Sequence, residues 1–112
     1  MKMENMRQSD IESLVDVLER RNAVGVTVSE DRSSVEGSFG PEKEIDVEFV
    51  VEKGRPWFNV SAKSEKLNLR ASGFNLPLPK MLLPATIRSV DSILDGFEGL
   101  YSSVRRIRRG SK

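Results

Sequence analysis

From Glu44 to Phe49 the chain alternates strictly between charged and apolar residues, and Val50-Val51 closes the run. Ile45, Val47, Phe49 and Val51 therefore fall on one side of a strand, while Glu44, Asp46 and Glu48 fall on the other. Strands of this kind have one buried and one wet face. They build an antiparallel sheet that must be covered on one side only.

The same period runs through much of the chain. Val24, Val26 and Val28 alternate with Gly25, Thr27 and Ser29; Val35, Gly37 and Phe39 alternate with Glu36 and Ser38. Phe58, Val60 and Ala62 alternate with Trp57, Asn59, Ser61 and Lys63, and Leu67, Leu69 and Ala71 with Asn68, Arg70 and Ser72. Turn material separates these runs at Glu30 to Ser33, Gly40-Pro41, Glu52 to Pro56 and Ser64 to Lys66. Five strands are predicted. A sixth, Lys2 to Met6, would fit ahead of the first helix.

Two helices are the natural cover. Ser9-Asp10-Ile11-Glu12 reads as a capping box, followed by Ile11, Leu14, Val15 and Leu18 on one helical face, so the first helix is placed at Asp10 to Arg21. After Pro84, Ile87, Val90, Leu94, Phe97, Tyr101 and Val104 form a second apolar stripe. Gly96 and Gly99 interrupt it, each at a cost of about 1 kcal/mol relative to alanine. The expectation is a break near Gly99, with Ser102 or Ser103 capping a short basic helix that runs to about Arg109. These elements predict an α+β fold. It is a two-layer α/β sandwich: an antiparallel sheet of five or six strands, two helices packed on one face, and a short basic C-terminal helix.

The 112 residues make one domain with a core that needs no disulfide or metal. The formal net charge of +1 hides a division. Residues 1–98 hold 13 Lys and Arg against 17 Asp and Glu, an acidic body; residues 99–112 hold five basic residues and no acid. A charge asymmetry of this kind points to an anionic partner for the basic segment.

The chain has no cysteine and no histidine, which removes thiolate nucleophiles, imidazole bases and zinc sites of the usual ligands. No catalytic motif stands in their place, no cofactor is implied, and an enzyme is the least favoured class. No apolar run reaches the roughly eighteen residues of a membrane span, and the N-terminus lacks a signal-peptide core. The expected location is the cytoplasm, without a membrane partner.

Three clusters are candidate sites. Glu42, Glu44, Asp46 and Glu48 share parity, as an oxygen-ligand metal site would need. Same-face neighbours on a strand lie about 6–7 Å apart, however, and the acids read as a solvated face paired with Lys63, Arg55 or Arg70. The segment Gly73 to Pro84 holds three prolines with Phe74, Leu76, Leu78, Met81 and Leu82. It is expected to be a loop, serving as a plug over the open end of the sandwich or, with Trp57, as a surface for a partner or ligand. Arg105, Arg106, Arg108, Arg109 and Lys112 form the third cluster. On a helix, Arg105, Arg108, Arg109 and Lys112 share one stripe that a phosphate backbone could meet. No glycine-rich phosphate loop, RNA-binding aromatic signature or helix-turn-helix spacing accompanies it.

Thr86-Ile87-Arg88, Asp91, Leu94-Asp95, Gly99, Tyr101-Ser102-Ser103 and Arg106 resemble the C-terminal pattern of a small archaeal family of uncharacterised conserved proteins. Gly37-Ser38-Phe39-Gly40 with the strand Ile45 to Val51 is also similar to that family. The resemblance implies a two-layer sandwich with two helices on one face of an antiparallel sheet, and no activity. Function is thus expected to be that of a small binding module, contacting nucleic acid or another polyanion through its basic end. The alternative is a protein-interaction or small-ligand domain using the apolar segment 73–84 and the space between sheet and C-terminal helix.

Overall fold

The computed structural model describes residues 6–51, 57–77 and 84–110. Helix α1 (Gln8–Arg20) leads into strands β1 (Val24–Val28), β2 (Ser34–Phe39), β3 (Ile45–Val51), β4 (Trp57–Ser64) and β5 (Leu69–Pro77), and helix α2 (Pro84–Gly110) follows. The strands form one antiparallel meander in sequence order. The architecture is the expected α+β one, with five strands and two helices. Lys2 to Asn5, most of the suggested sixth strand, lie outside the described residues.

The register explains the core. Phe49 stands opposite Val35 on one side and Val60 on the other, and Val47 stands between Gly37 and Ala62. With Phe39, Ile45, Val51 and Phe58 these rows make one buried face. Phe49 and Phe58 meet edge to face, with centroids 6.4 Å apart. Along β3 every second residue is buried and those between are half-exposed, as the alternation requires. Among the described residues no helix lies on the opposite face.

Both edge strands depart from the expected pattern. In β1, Val24 pairs with Ser38 but Thr27 with Glu36, so one residue is extra and Val24 turns to the wet side, 49% exposed. In β5, Phe74 pairs with Val60 but Ala71 with Ala62, again one residue extra. Gly25 and Gly73, at φ +64 and +87, supply the left-handed backbone at these bulges. Strand β5 also runs on to Pro77, so residues 73–77 are strand and not loop. The prolines predict a loop here, but Pro77 falls only at the end of an edge strand, where its missing N–H costs little.

Helix α1 starts earlier than expected. Its N-cap is Arg7, not Ser9, and the buried Asp10 carboxylate accepts from the Arg7 amide at 3.3 Å and from its Nε at 3.0 Å. Met6, buried with its amide bonded to the Arg32 carbonyl, fixes the entry and moves the cap back from Ser9. Ile11, Leu14, Val17 and Leu18 then face the core.

Helix α2 is unbroken from Pro84 to Gly110, which overturns the expected break near Gly99 and the separate terminal helix. Val90, Leu94, Phe97 and Tyr101 are all buried, on both sides of the Gly96–Gly99 pair. Burying each such side chain contributes about 1.5–3 kcal/mol. That outweighs a glycine penalty of about 1 kcal/mol per site.

An ionic clamp joins the two helices. Arg21 Nη2 donates to the Asp91 carbonyl at 3.0 Å, to Asp91 Oδ1 at 3.1 Å and to Asp95 Oδ1 at 2.8 Å. Its Nη1 lies 3.7 Å from Glu98, and the guanidinium sits 5.5 Å from the Phe39 ring centroid.

Candidate ligand-binding site

The space between sheet and α2 is packed: Val90, Leu94, Phe97 and Tyr101 share one buried cluster with Phe49, Phe58 and Val60. A large concavity lies on the other side instead. It occupies about 510 Å³ on the open face of the sheet, with Ser38, Asp46, Glu48, Ser61, Lys63 and Arg70 among its lining residues. The edge bulges give it a physical origin, since each bends its strand and increases the local twist, curling the sheet.

Strand pairing orders the charges in this trough. Asp46 faces Ser38 on one side and Lys63 on the other, and Lys63 faces Arg70; one residue pair along, Glu48 lies between Glu36 and Ser61. The β2–β3 half is thus acidic and the β4–β5 half basic, with serines between. Ser38 Oγ donates to Asp46 Oδ1 at 2.6 Å and Thr27 Oγ1 to Glu36 at 3.3 Å. Lys63 is drawn outward to Glu65 at 3.4 Å. Neither the Glu48 nor the Arg70 side chain has a hydrogen-bond or ion-pair partner among the described residues.

A second, smaller recess of about 250 Å³ lies beside the end of α2, lined by Glu42, Glu44, Lys66, Leu67, Arg105 and Arg108. Arg105 pairs with Glu42 at 3.0 Å and Lys66 with Glu44 at 3.1 Å. The Tyr101 hydroxyl donates to Glu44. Tyr101 is buried, and burial together with the bond to Glu44 pushes its phenol up to about 12. The bond from Tyr101, then Lys66, holds the Glu44 carboxyl below its ordinary value.

The expected stripe of four carboxylates is therefore divided. Glu42 and Glu44 belong to the turn before β3 and face basic residues of α2 and the β4–β5 turn, while Asp46 and Glu48 line the trough. The turn at Pro41–Lys43, with Glu42 and Lys43 at positive φ, takes the first two acids out of strand parity. Among the described residues no group of three or more acids is arranged to hold a metal ion.

The other candidates are also separated. Of the basic set, Arg105 is half-buried and ion-paired, whereas Arg106 and Arg108 are exposed. The Arg109 side chain and Lys112 lie outside the described residues. Phe74, 40% exposed, and the half-buried Leu76 stand opposite Val60 and Phe58 on the helix side of the sheet. Trp57, half-buried at the start of β4, has the opposite parity. Leu78, Met81 and Leu82 lie outside the described residues. The trough itself was not anticipated, although Ser38, Ser61 and Ser72 are small residues on wet-face positions and signal an open strip.

No helix among the described residues is long and apolar enough to cross a membrane. Comparison with protein-family models, curated proteins and solved structures finds no match. The likeness to the archaeal family therefore contributes nothing to the functional reading.

Proposed function

We propose that this protein is a small binding module whose ligand surface is the open-face trough, and that it takes a small zwitterion such as an amino acid or short peptide. The division of the trough into an acidic and a basic half, with the Glu48 and Arg70 side chains unpaired among the described residues, carries this reading. A ligand carboxylate would meet Arg70 and Lys63, an ammonium group Asp46 and Glu48, and Ser61 would supply hydrogen bonds to the part between. The volume falls within the range of about 300–1,000 Å³ usual for small-ligand sites. Charge-assisted hydrogen bonds in an open trough give orientation more than affinity, so binding is expected near the millimolar range, about −4 kcal/mol.

The test is amide-shift titration with a dipeptide and its N-acetylated and C-amidated forms. The free dipeptide should shift residues of β3 and β4, and either cap should weaken binding by about tenfold. Arg70→Glu should abolish preference for a free carboxylate, and Glu48→Lys preference for a free ammonium. Equal binding of all three compounds, or no saturable shift, would sink the proposal.

A second reading rests on Arg106 and Arg108, which are exposed at the end of α2. In the sequence they are followed by Arg109 and Lys112, and these four basic residues together suit nucleic acid or another polyanion. Because Glu42 already holds Arg105, the duplex-DNA salt slope expected is roughly −3 to −4, for about four phosphates. Arg106→Ala with Arg108→Ala should flatten it. Absence of binding at low salt removes this reading and leaves the trough untouched.

A further inference from the structure

We infer that the ligand of the open-face trough is a dipeptide whose first residue carries a basic side chain. The inference rests on the trough reading above and narrows it to one class of peptide. Strand register sets the order of groups across the sheet. Glu36 of β2 stands opposite Glu48 of β3, and Glu48 opposite Ser61 of β4. Two residues along, Asp46 of β3 stands opposite Lys63 of β4, and Lys63 opposite Arg70 of β5. All six line the concavity.

Taken in that order the charges do not balance. Glu36, Asp46 and Glu48 line the β2–β3 half, and none has an ion-pair partner among the described residues. Glu36 and Asp46 accept hydroxyl bonds, from Thr27 at 3.3 Å and Ser38 at 2.6 Å, which bring no positive charge. Like charges directly opposite on neighbouring strands repel, and Glu36 faces Glu48 in this way. In the β4–β5 half Lys63 is turned to Glu65, which leaves Arg70 as the uncommitted cation. A ligand with one carboxylate therefore matches Arg70, but one ammonium leaves the other half in excess. A second cation at the ammonium end, set against both Glu36 and Glu48, removes that excess and their mutual repulsion.

Length selects the dipeptide. Neighbouring strands lie about 4.8 Å apart, so β3 and β5 are separated by about 10 Å and β2 and β5 by about 14 Å. In a single amino acid the ammonium and carboxylate share one carbon. With its ammonium at Asp46 and Glu48, its carboxylate stays far short of β5. One more residue adds about 3.8 Å and carries the carboxylate over Ser61, where the long Arg70 side chain closes the gap. The first residue's side chain then runs the other way, towards the Glu36–Glu48 pair, one strand spacing on. A basic second residue would lie beside Lys63 and Arg70 instead, which sets the order of the two residues.

Amide-shift titration of the intact chain at low ionic strength tests this with four probes: glycyl-glycine, lysyl-glycine, norleucyl-glycine and glycyl-lysine. Norleucine keeps the lysine stem and lacks its charge, so apolar contact cancels in the comparison. Lysyl-glycine should bind at least about fivefold tighter than norleucyl-glycine and than glycyl-lysine. Glu36→Gln keeps an acceptor for Thr27 and should bring lysyl-glycine down to the level of norleucyl-glycine. An amide spectrum unchanged apart from β1, β2 and β3 shows that the variant is folded. If glycyl-glycine gives a saturable shift but lysyl-glycine binds no tighter than norleucyl-glycine or glycyl-lysine, the inference falls and the trough reading stands. A lysyl-glycine preference that survives intact in folded Glu36→Gln also overturns it. If no peptide gives a saturable shift, both fall together.

Discussion

Tyr101, the only tyrosine in the chain, joins the core to the rim: its ring is buried among Phe97 and Leu94 of the core cluster, and its hydroxyl reaches Glu44. Two pH effects of opposite sign follow. The phenol, ordinarily ionising near 10.0, is pushed up to about 12 by burial and then by Glu44. Unfolded chains lose this proton near pH 10 while folded ones keep it, so stability is full below that pH and falls as pH rises towards about 12. Ultraviolet titration reads one phenol without interference, and ionisation near pH 10 in the folded protein would show the hydroxyl to be free. Glu44 behaves oppositely. Its carboxyl is held below the ordinary 4.5, so its contribution is present above that value and is lost as pH falls through the folded pKa. Tyr101→Phe keeps the ring and removes the donor, and the Glu44 carboxyl should move back up, as carboxyl carbon shifts would record.

At the scale of elements, α2 supplies the sharpest contrast between propensity and packing. Its buried stripe overrides two glycines, so removing them should help the isolated helix. Gly96→Ala and Gly99→Ala are each expected to stabilise the fold by about 1 kcal/mol, because neither new methyl meets an atom within 4 Å. Thermal melting measures this. The same helix shows what a sequence reveals and what it hides. Val90, Leu94, Phe97 and Tyr101 were legible as a core stripe because period alone assigns them to one face. The helix's continuity was not, because local propensity argued against it and tertiary burial decided it. The central strands were legible for the same reason as the stripe, whereas Gly25 and Gly73 gave no sign of bulging the edges. Asp10 was likewise visible as a first-turn acid, but its role as the group that caps Arg7 depends on Met6 being buried.

The whole molecule is a sheet closed on one face by helices and left open on the other, and its charges follow that division. On the open face, residue types announced a mixed, serine-rich surface, but concavity belongs to the curl of five strands together and to no single residue. On the closed side, Arg21 binds the two helices into one layer. Its side chain is 14% exposed, its guanidinium meets Asp91, Asp95 and Glu98, and it stacks over Phe39. Arg21→Ala removes the bonds to α2 and leaves Asp91 and Glu98 close together, so a loss of about 2–3 kcal/mol is expected in urea unfolding. Arg21→Lys should recover less than half of it, because an ammonium has no second nitrogen to face Glu98 and no flat cation to lie over Phe39. Added salt separates this clamp from the surface pairs. Arg20–Asp16, with both side chains more than half exposed, is screened at moderate ionic strength. The Arg21 contribution should persist there, measured as the difference between wild type and Arg21→Ala. A difference that vanished with salt would mean that α1 and α2 are held by apolar contact alone.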